Sequence, residues 1–319
     1  MKRTSLLFYL LMLLVTLPAG AQKENNIWAF SDSLGLDFNS GNPVLIPTRI
    51  TARESCASVC DASGALLFYS NGLKVFDKTH TVMPNGNGID GAALSSATQG
   101  VAISPVPEEP GKYFLFTLDQ IEWPGGTGAL HYSLIDMSLN GGKGDIVPGF
   151  KNRLLAKDMS EKMVLASSCK GNWLITHDMN KPVFYAWPLR SSSVALSPVV
   201  SVTPGLSGTR YIMGEMKMST DYRNLYMVNM AGYIEGFDFN LRTGIVDGYK
   251  NIDTASNAYS IELSADNKKV YVADFSRIIQ YDLALLPDLA AVRASKNVIA
   301  GGPYISMRRG PDRPASLIR

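Results

Sequence analysis

A unit written about six times constrains the fold of this chain more than any other feature. A β-prone run ends in a small polar turn. A strand of aromatic and β-branched residues follows, and a further strand closes on a hydrophobic–Asp pair. The clearest copies are Tyr259-Ser-Ile-Glu-Leu-Ser-Ala-Asp266, Lys269-Val-Tyr-Val-Ala-Asp274 and Arg277-Ile-Ile-Gln-Tyr-Asp282. The turn aspartates Asp221, Asp266 and Asp312 fall 45 and 46 residues apart, the period of one four-stranded propeller blade of roughly 40–50 residues. Nearly complete units contain Glu54–Asp77, Gly100–Asp136, Lys162–Trp187, Ile212–Asp238 and Tyr259–Asp282. A sixth begins at Pro303 and stops within its first turn.

The repeat therefore predicts an all-β chain: a β-propeller of four-stranded, WD-repeat or YVTN-like blades, about five complete and one truncated. Leu66, Phe68, Phe114, Phe116, Trp173, Ile175, Tyr226, Val228, Tyr271 and Ala273 are expected on middle strands, their side chains between neighbouring sheets. Asp77, Asp136, Asp238 and Asp282 end third strands, where an Asx turn is the simplest role. The strand near Asn26–Phe30 has the composition to complete a blade, but its expected partners would follow Asp312. The ring is thus expected to be open or poorly closed, with an unpaired edge at that seam.

The N-terminus reads as a secretory leader. Lys2 and Arg3 precede an apolar run from Leu6 to Leu17, Pro18 breaks it, and Ala19-Gly20-Ala21 offers a cleavage site. The run is shorter than the ~20 residues of a spanning helix. Residues 1–21 are assigned as a signal peptide and 22–319 as the propeller domain, with no transmembrane segment after cleavage and export to the periplasm, cell surface or medium. Removing Lys2 and Arg3 from the 30 basic residues leaves them equal in number to the 28 acidic ones, so no basic excess points to nucleic acid. Cys56 and Cys60 on one strand are too far apart for an unbent disulfide. With Cys169 they read most simply as free thiols.

No convergent catalytic set is visible. His80, His131 and His177 lie in different units without partners at metal-ligand spacing, and no nucleophile elbow appears. Glu108-Glu109 and Glu161-Lys162 read as solvated turn charges. The loops Met83–Ala97, Glu122–Gly126 and Asn140–Asp145 are turns that have room for a ligand. Glu54, Glu215 and Glu262 fall on innermost strands facing the channel. Lys217, Glu262 and Arg308 share one repeat position. Glu215, Lys217, Glu262 and Arg308 are the candidate channel-lining residues, with mutual ion pairing the simpler role. No catalytic, cofactor-binding or metal-binding residue is assigned, and no cofactor is expected.

Ile27-Trp28-Ala29-Phe30, Gly35–Gly41, Cys56-Ala57-Ser58, Gly64–Gly72, Val82–Gly86, Asp136–Gly142 and Trp173–His177 together resemble the N-terminal β-propeller region of large exported Bacteroidetes proteins. Those proteins often end in gliding-motility-associated or type IX secretion sorting domains. The resemblance covers nearly all of the chain after the leader and implies no catalytic residue. The family pattern continues after a turn like Gly310-Pro311-Asp312 with another strand, whereas here Arg313-Pro314 follows, so a C-terminal truncation is expected.

The sequence thus predicts an exported, non-enzymatic propeller that binds or scaffolds a protein or glycan partner at the bacterial envelope. The alternative is an envelope enzyme, glycan-acting or quinoprotein-like, with its site at the channel mouth and carried by acidic residues such as Glu215 and Glu262.

Overall fold

The computed structural model describes residues 23–311, except 31, 123–124, 169–170, 192, 205–212, 256 and 305. The leader assigned to residues 1–21, Cys169 and Asp312 lie outside the described residues. Six blades stand in a ring. From the centre outward, the first holds Ala57–Cys60, Leu66–Ser70, Lys74–Asp77 and Val82–Asn87. The second opens with Val101–Pro105, Lys112–Leu118 and Leu130–Asp136. The third opens with Met159–Ser168, Gly171–Asp178 and Val183–Arg190. In both, two short outer strands share the rim. The fourth (Met216–Met218, Asn224–Val228, Tyr233–Phe239, Val246–Thr254) and fifth (Ser260–Leu263, Lys269–Ala273, Arg277–Asp282, Asn297–Gly301) have four strands each. Pairing is antiparallel throughout.

Blades stack on both faces, so a middle strand needs apolar side chains on both. Along the second blade Phe114 and Phe116 pack toward the third blade, and Leu115 between them packs toward the first. Leu225 and Met227 face the third blade while Tyr226 and Val228 face the fifth. All ten residues expected on middle strands are there. Aromatic pairs tighten the junctions: Phe184 meets Phe237 edge-on with centroids 4.8 Å apart, an arrangement worth about 0.5–1.5 kcal/mol beyond area burial.

The turn aspartates act as the residue type dictates. Asp77 accepts from the Thr79 and Thr81 backbones at 2.7 and 3.2 Å, and Asp136 accepts from Ser138 N at 2.8 Å. Asp282 accepts from Ala284 N at 3.0 Å. Asp238 instead takes the Lys250 ammonium at 2.7 Å. Cys56 and Cys60 are free thiols.

The sixth blade is the incomplete one, as expected: its regular strands form a three-stranded sheet, beside five sheets of four or five strands. Ile27–Phe30, Leu34–Asp37 and Val44–Pro47 form its outer three strands. They dock on the first blade through Ser58 Oγ, which donates to Ile27 O at 2.7 Å, and through Ala29 packed with Tyr69 and Phe76. The inner position falls to the segment around Arg308, which makes a single bridge. There Met307 N donates to Ser260 Oγ at 2.9 Å and Arg309 N to Glu262 at 3.0 Å. This repeats the stitch between the preceding blades, where Ile261 N donates to Glu215 at 3.1 Å. Tyr304 and Met307 pack on Ala273 and Ile278 of the fifth blade. Every junction of the ring therefore has its own apolar cluster among the described residues. Among the described residues no helix is long and apolar enough to cross a membrane.

Candidate functional site

The inner strands all begin at one end of the ring, and there side chains from different blades converge. Glu54 precedes the first inner strand, Thr98 the second and Tyr259 the fifth; Glu161 lies near the start of the third. Thr98 donates to Glu161 Oε2 through its backbone N at 2.8 Å and its hydroxyl at 3.0 Å. Ile121 N donates to the other carboxylate oxygen at 3.0 Å. The Thr98 hydroxyl lies 3.1 Å from that of Tyr259, whose ring is held 5.1 Å from Phe275. Tyr259 also lies close enough to the Glu54 carboxyl to shift its pKa. Glu122, from the loop between the second and third strands of its blade, accepts from Ser96 Oγ at 2.5 Å.

The electrostatics follow from this crowding. Glu54 keeps part of its side chain in solvent, yet burial of its carboxyl pushes its pKa up to about 7. Tyr259 and Arg53 pull it down, and Glu122 and Glu161 push it further up. Burial also raises Glu161, against its bonds from Thr98 and Ile121. Like charges close together favour a proton on one of them. Beneath Glu161, the fully buried Lys162 is pushed down to about 7 by burial, against the pull of Glu161, Glu235 and Glu215. Burial, with the Lys162 charge beside it, takes His177 down to about 3, so its ring is neutral. A carboxyl that titrates near neutrality beside a hydroxyl is equipped to take and return a proton.

No protein-family model matches the chain, and no curated protein does. Solved structures do. The Swd1 β-propeller domain of Myceliophteria thermophila is 10% identical at a TM-score of 0.51, covering 92% of this chain and 89% of that one. The periplasmic gluconolactonase of Pseudomonas aeruginosa is 13% identical at 0.51, covering 89% and 79%. A putative 6-phosphogluconolactonase from Bacteroides uniformis is 12% identical at 0.49, covering 90% and 85%. At such identities the likeness establishes the propeller fold. A periplasmic gluconolactonase has the same fold, so the fold gives no ground for expecting a non-enzymatic chain. That expectation is corrected.

The four residues assigned to the channel lining from sequence lie elsewhere. Lys217 and Glu262 pair at 3.1 Å across neighbouring inner strands. Glu262 also accepts from Leu263 N and Arg309 N, both at 3.0 Å. Glu215 accepts from Ser260 Oγ at 2.7 Å, Ile261 N at 3.1 Å and Ser306 Oγ at 3.3 Å. The Arg308 side chain is exposed, and among the described residues it joins no ion pair. Glu215, Lys217 and Glu262 stitch the fourth, fifth and sixth blades together and are committed to that role. Glu161 and Lys162, read as solvated turn charges, are 0% and 1% exposed; the third inner strand begins at Met159 and carries both into the wall. Thr98 and Tyr259 escaped sequence reasoning. The hints were Glu54, read as channel-facing but lying before the inner strand that begins at Ala57, and Glu122 in its Pro-Gly-Gly loop.

Proposed function

We propose that this protein is an exported hydrolase of a sugar-derived lactone or related glycan ester, working at the acidic mouth of the ring. The observation that carries this reading is the convergence of the Glu54, Glu122 and Glu161 carboxyls with the Thr98 and Tyr259 hydroxyls at one end of the ring, where burial pushes the Glu54 pKa up to about 7. The likeness to a periplasmic gluconolactonase supports the substrate class, and the leader-like N-terminus supports export. The Bacteroidetes resemblance fits a bacterial envelope protein.

In such a reaction water adds to the lactone carbonyl and the ring C–O bond breaks, giving one hydroxy acid. Glu54 as carboxylate takes the proton from the attacking water. As carboxylic acid it returns that proton to the departing ring oxygen. A group with its pKa near the working pH performs both halves efficiently. The test is hydrolysis of δ-gluconolactone by the purified protein at neutral pH, scored against buffer. Glu54→Gln is expected to lower kcat by roughly 10²-fold or more. Hydrolysis at the buffer rate, or an unimpaired Glu54→Gln variant, would overturn the reading.

A further inference from the structure

We infer that one apolar side of the sixth sheet is a docking surface for this chain's own residues 312–319, which lie outside the described residues. The inference is independent of how the mouth is read.

The side is found by alternation. Successive residues of a strand point to opposite sides, and cross-strand partners share a side. Ala29 packs on the first blade, Ile27 shares its side, and both are buried. The other side carries Trp28 and Phe30, then their partners Leu36 and Leu34, then Leu45 and Pro47. None of these six is buried, and Leu34 and Leu45 are 43% and 67% exposed. None belongs to an apolar cluster. Trp28 meets the Phe38 ring of its own sheet, with centroids 4.7 Å apart. This side points away from the first blade, toward the fifth. There Ala273 and Ile278 are covered by Tyr304 and Met307 instead. A contiguous apolar patch left in this way marks a surface that something covers.

The course of the chain names the cover. Met307 N donates to Ser260 Oγ and Arg309 N to Glu262. The segment therefore runs alongside Ser260–Leu263, away from the mouth, and reaches Pro311 at the opposite end of the ring. Cys60 N donates to Glu24 O at 2.8 Å, and Ala29 N to Ser58 Oγ at 3.3 Å. Ile27–Phe30 therefore starts at that same end and climbs toward the mouth. Residues past Pro311 begin at the foot of the uncovered side. Eight residues reach up to about 26 Å when extended, and the sheet is only about 10 Å across its three strands. Pro314, Ala315, Leu317 and Ile318 make the segment apolar. Pro314 cannot extend a ladder, but packing across the side of a sheet needs no ladder bond. A second copy of this chain and a foreign partner are the competing occupants.

The test places a photoreactive group in the segment of the purified protein, as Leu317→p-benzoylphenylalanine. Illumination of dilute protein is expected to link it, within one chain, to the peptide that holds Trp28, Phe30 and Leu36. Links between two chains would name a second copy as the occupant, and no link to that peptide would leave the side to a foreign partner or to solvent. Either result overturns the inference. A second measurement is independent of the label. Leu317→Asp combined with Ile318→Asp should uncover the surface. Trp28 emission, isolated by comparison with Trp28→Phe in the same background, is expected to shift to the red and to be quenched more strongly by acrylamide. Emission and quenching equal to wild type would sink the proposal. Neither measurement needs a substrate, so a protein that fails to hydrolyse lactones loses the proposed function and keeps this one.

Discussion

Gln99 of the second blade and Met216 of the fourth hold each other as two strands of a sheet would. Gln99 Nε2 donates to Met216 O at 2.9 Å, and Met216 N donates to Gln99 Oε1 at 2.8 Å. The same oxygen receives Met163 N of the intervening blade at 3.4 Å. One side-chain amide therefore ties three inner strands beside the mouth.

Replacing that amide with an apolar side chain of similar size leaves the Met216 N–H and C=O without it. Gln99→Leu is expected to lose about 1–3 kcal/mol, the usual cost of stranding buried polar groups. In a domain of this size that is a melting temperature lower by roughly 2–4 °C per kcal/mol. Urea unfolding measures it, and a loss below about 0.5 kcal/mol would show that water replaces the amide.

The Lys217–Glu262 pair gives a sharper test. Removing one partner of a buried pair costs about 3–5 kcal/mol, whereas replacing both with apolar groups is often neutral. Lys217→Met is expected to fall in the first range, and Lys217→Met combined with Glu262→Leu to recover most of the loss. Burial raises the Glu262 pKa, but the Lys217 charge and the backbone donors more than reverse this and hold it below the usual carboxylate value. Its stabilisation is therefore present above that usual value and is lost as pH falls through the depressed one. Glu262→Gln should flatten this acid limb in denaturation curves taken from pH 6 downward.

Glu54 has the opposite sign. Its folded pKa is raised to about 7, so the fold favours its neutral form. That preference is fully expressed below the ordinary glutamate pKa of about 4.3 and is lost as pH rises toward 7. Glu54→Gln has no such loss. The stability of the variant relative to wild type should climb between about pH 4.3 and 7 and level off beyond. Parallel stability profiles would contradict the assignment.

The mouth also sets a charge preference. Glu54 and Glu122 face a substrate there, with Glu161 buried behind them, so a neutral lactone should be turned over with at least a roughly tenfold higher kcat/KM than its phosphorylated counterpart, about 1.4 kcal/mol of repulsion. Salt should narrow the gap, because exposed charges are screened, and Glu122→Gln should narrow it too. Equal kcat/KM for the two substrates would place the reacting group away from these carboxylates.

The architecture was legible because stacking on two faces imprints itself on single strands. Phe114, Leu115 and Phe116 divide between two junctions by simple alternation, as do Val270, Tyr271 and Val272. The sixth blade is the least legible because its inner segment is short and irregular around Arg308, where no alternating run marks it. The site was hidden for a different reason. Glu54, Thr98, Glu161 and Tyr259 are single residues in four repeats, and no spacing along the chain reports that inner ends meet. Adjacent charges such as Glu161 and Lys162 are also rarely buried, so the pattern pointed to solvent.

The blade assembled from both ends fixes the order in which the protein can be made. Early blades can form as they emerge, but the segment around Arg308, which docks on the fifth blade, is made last. Until that segment arrives, the fifth sheet lacks the apolar cover of Tyr304 and Met307, and the carboxylates of the mouth are not yet enclosed on all sides. Closing so long a loop is slow. A newly made chain therefore passes through a spiral, and becomes a working ring only when its beginning and end find each other.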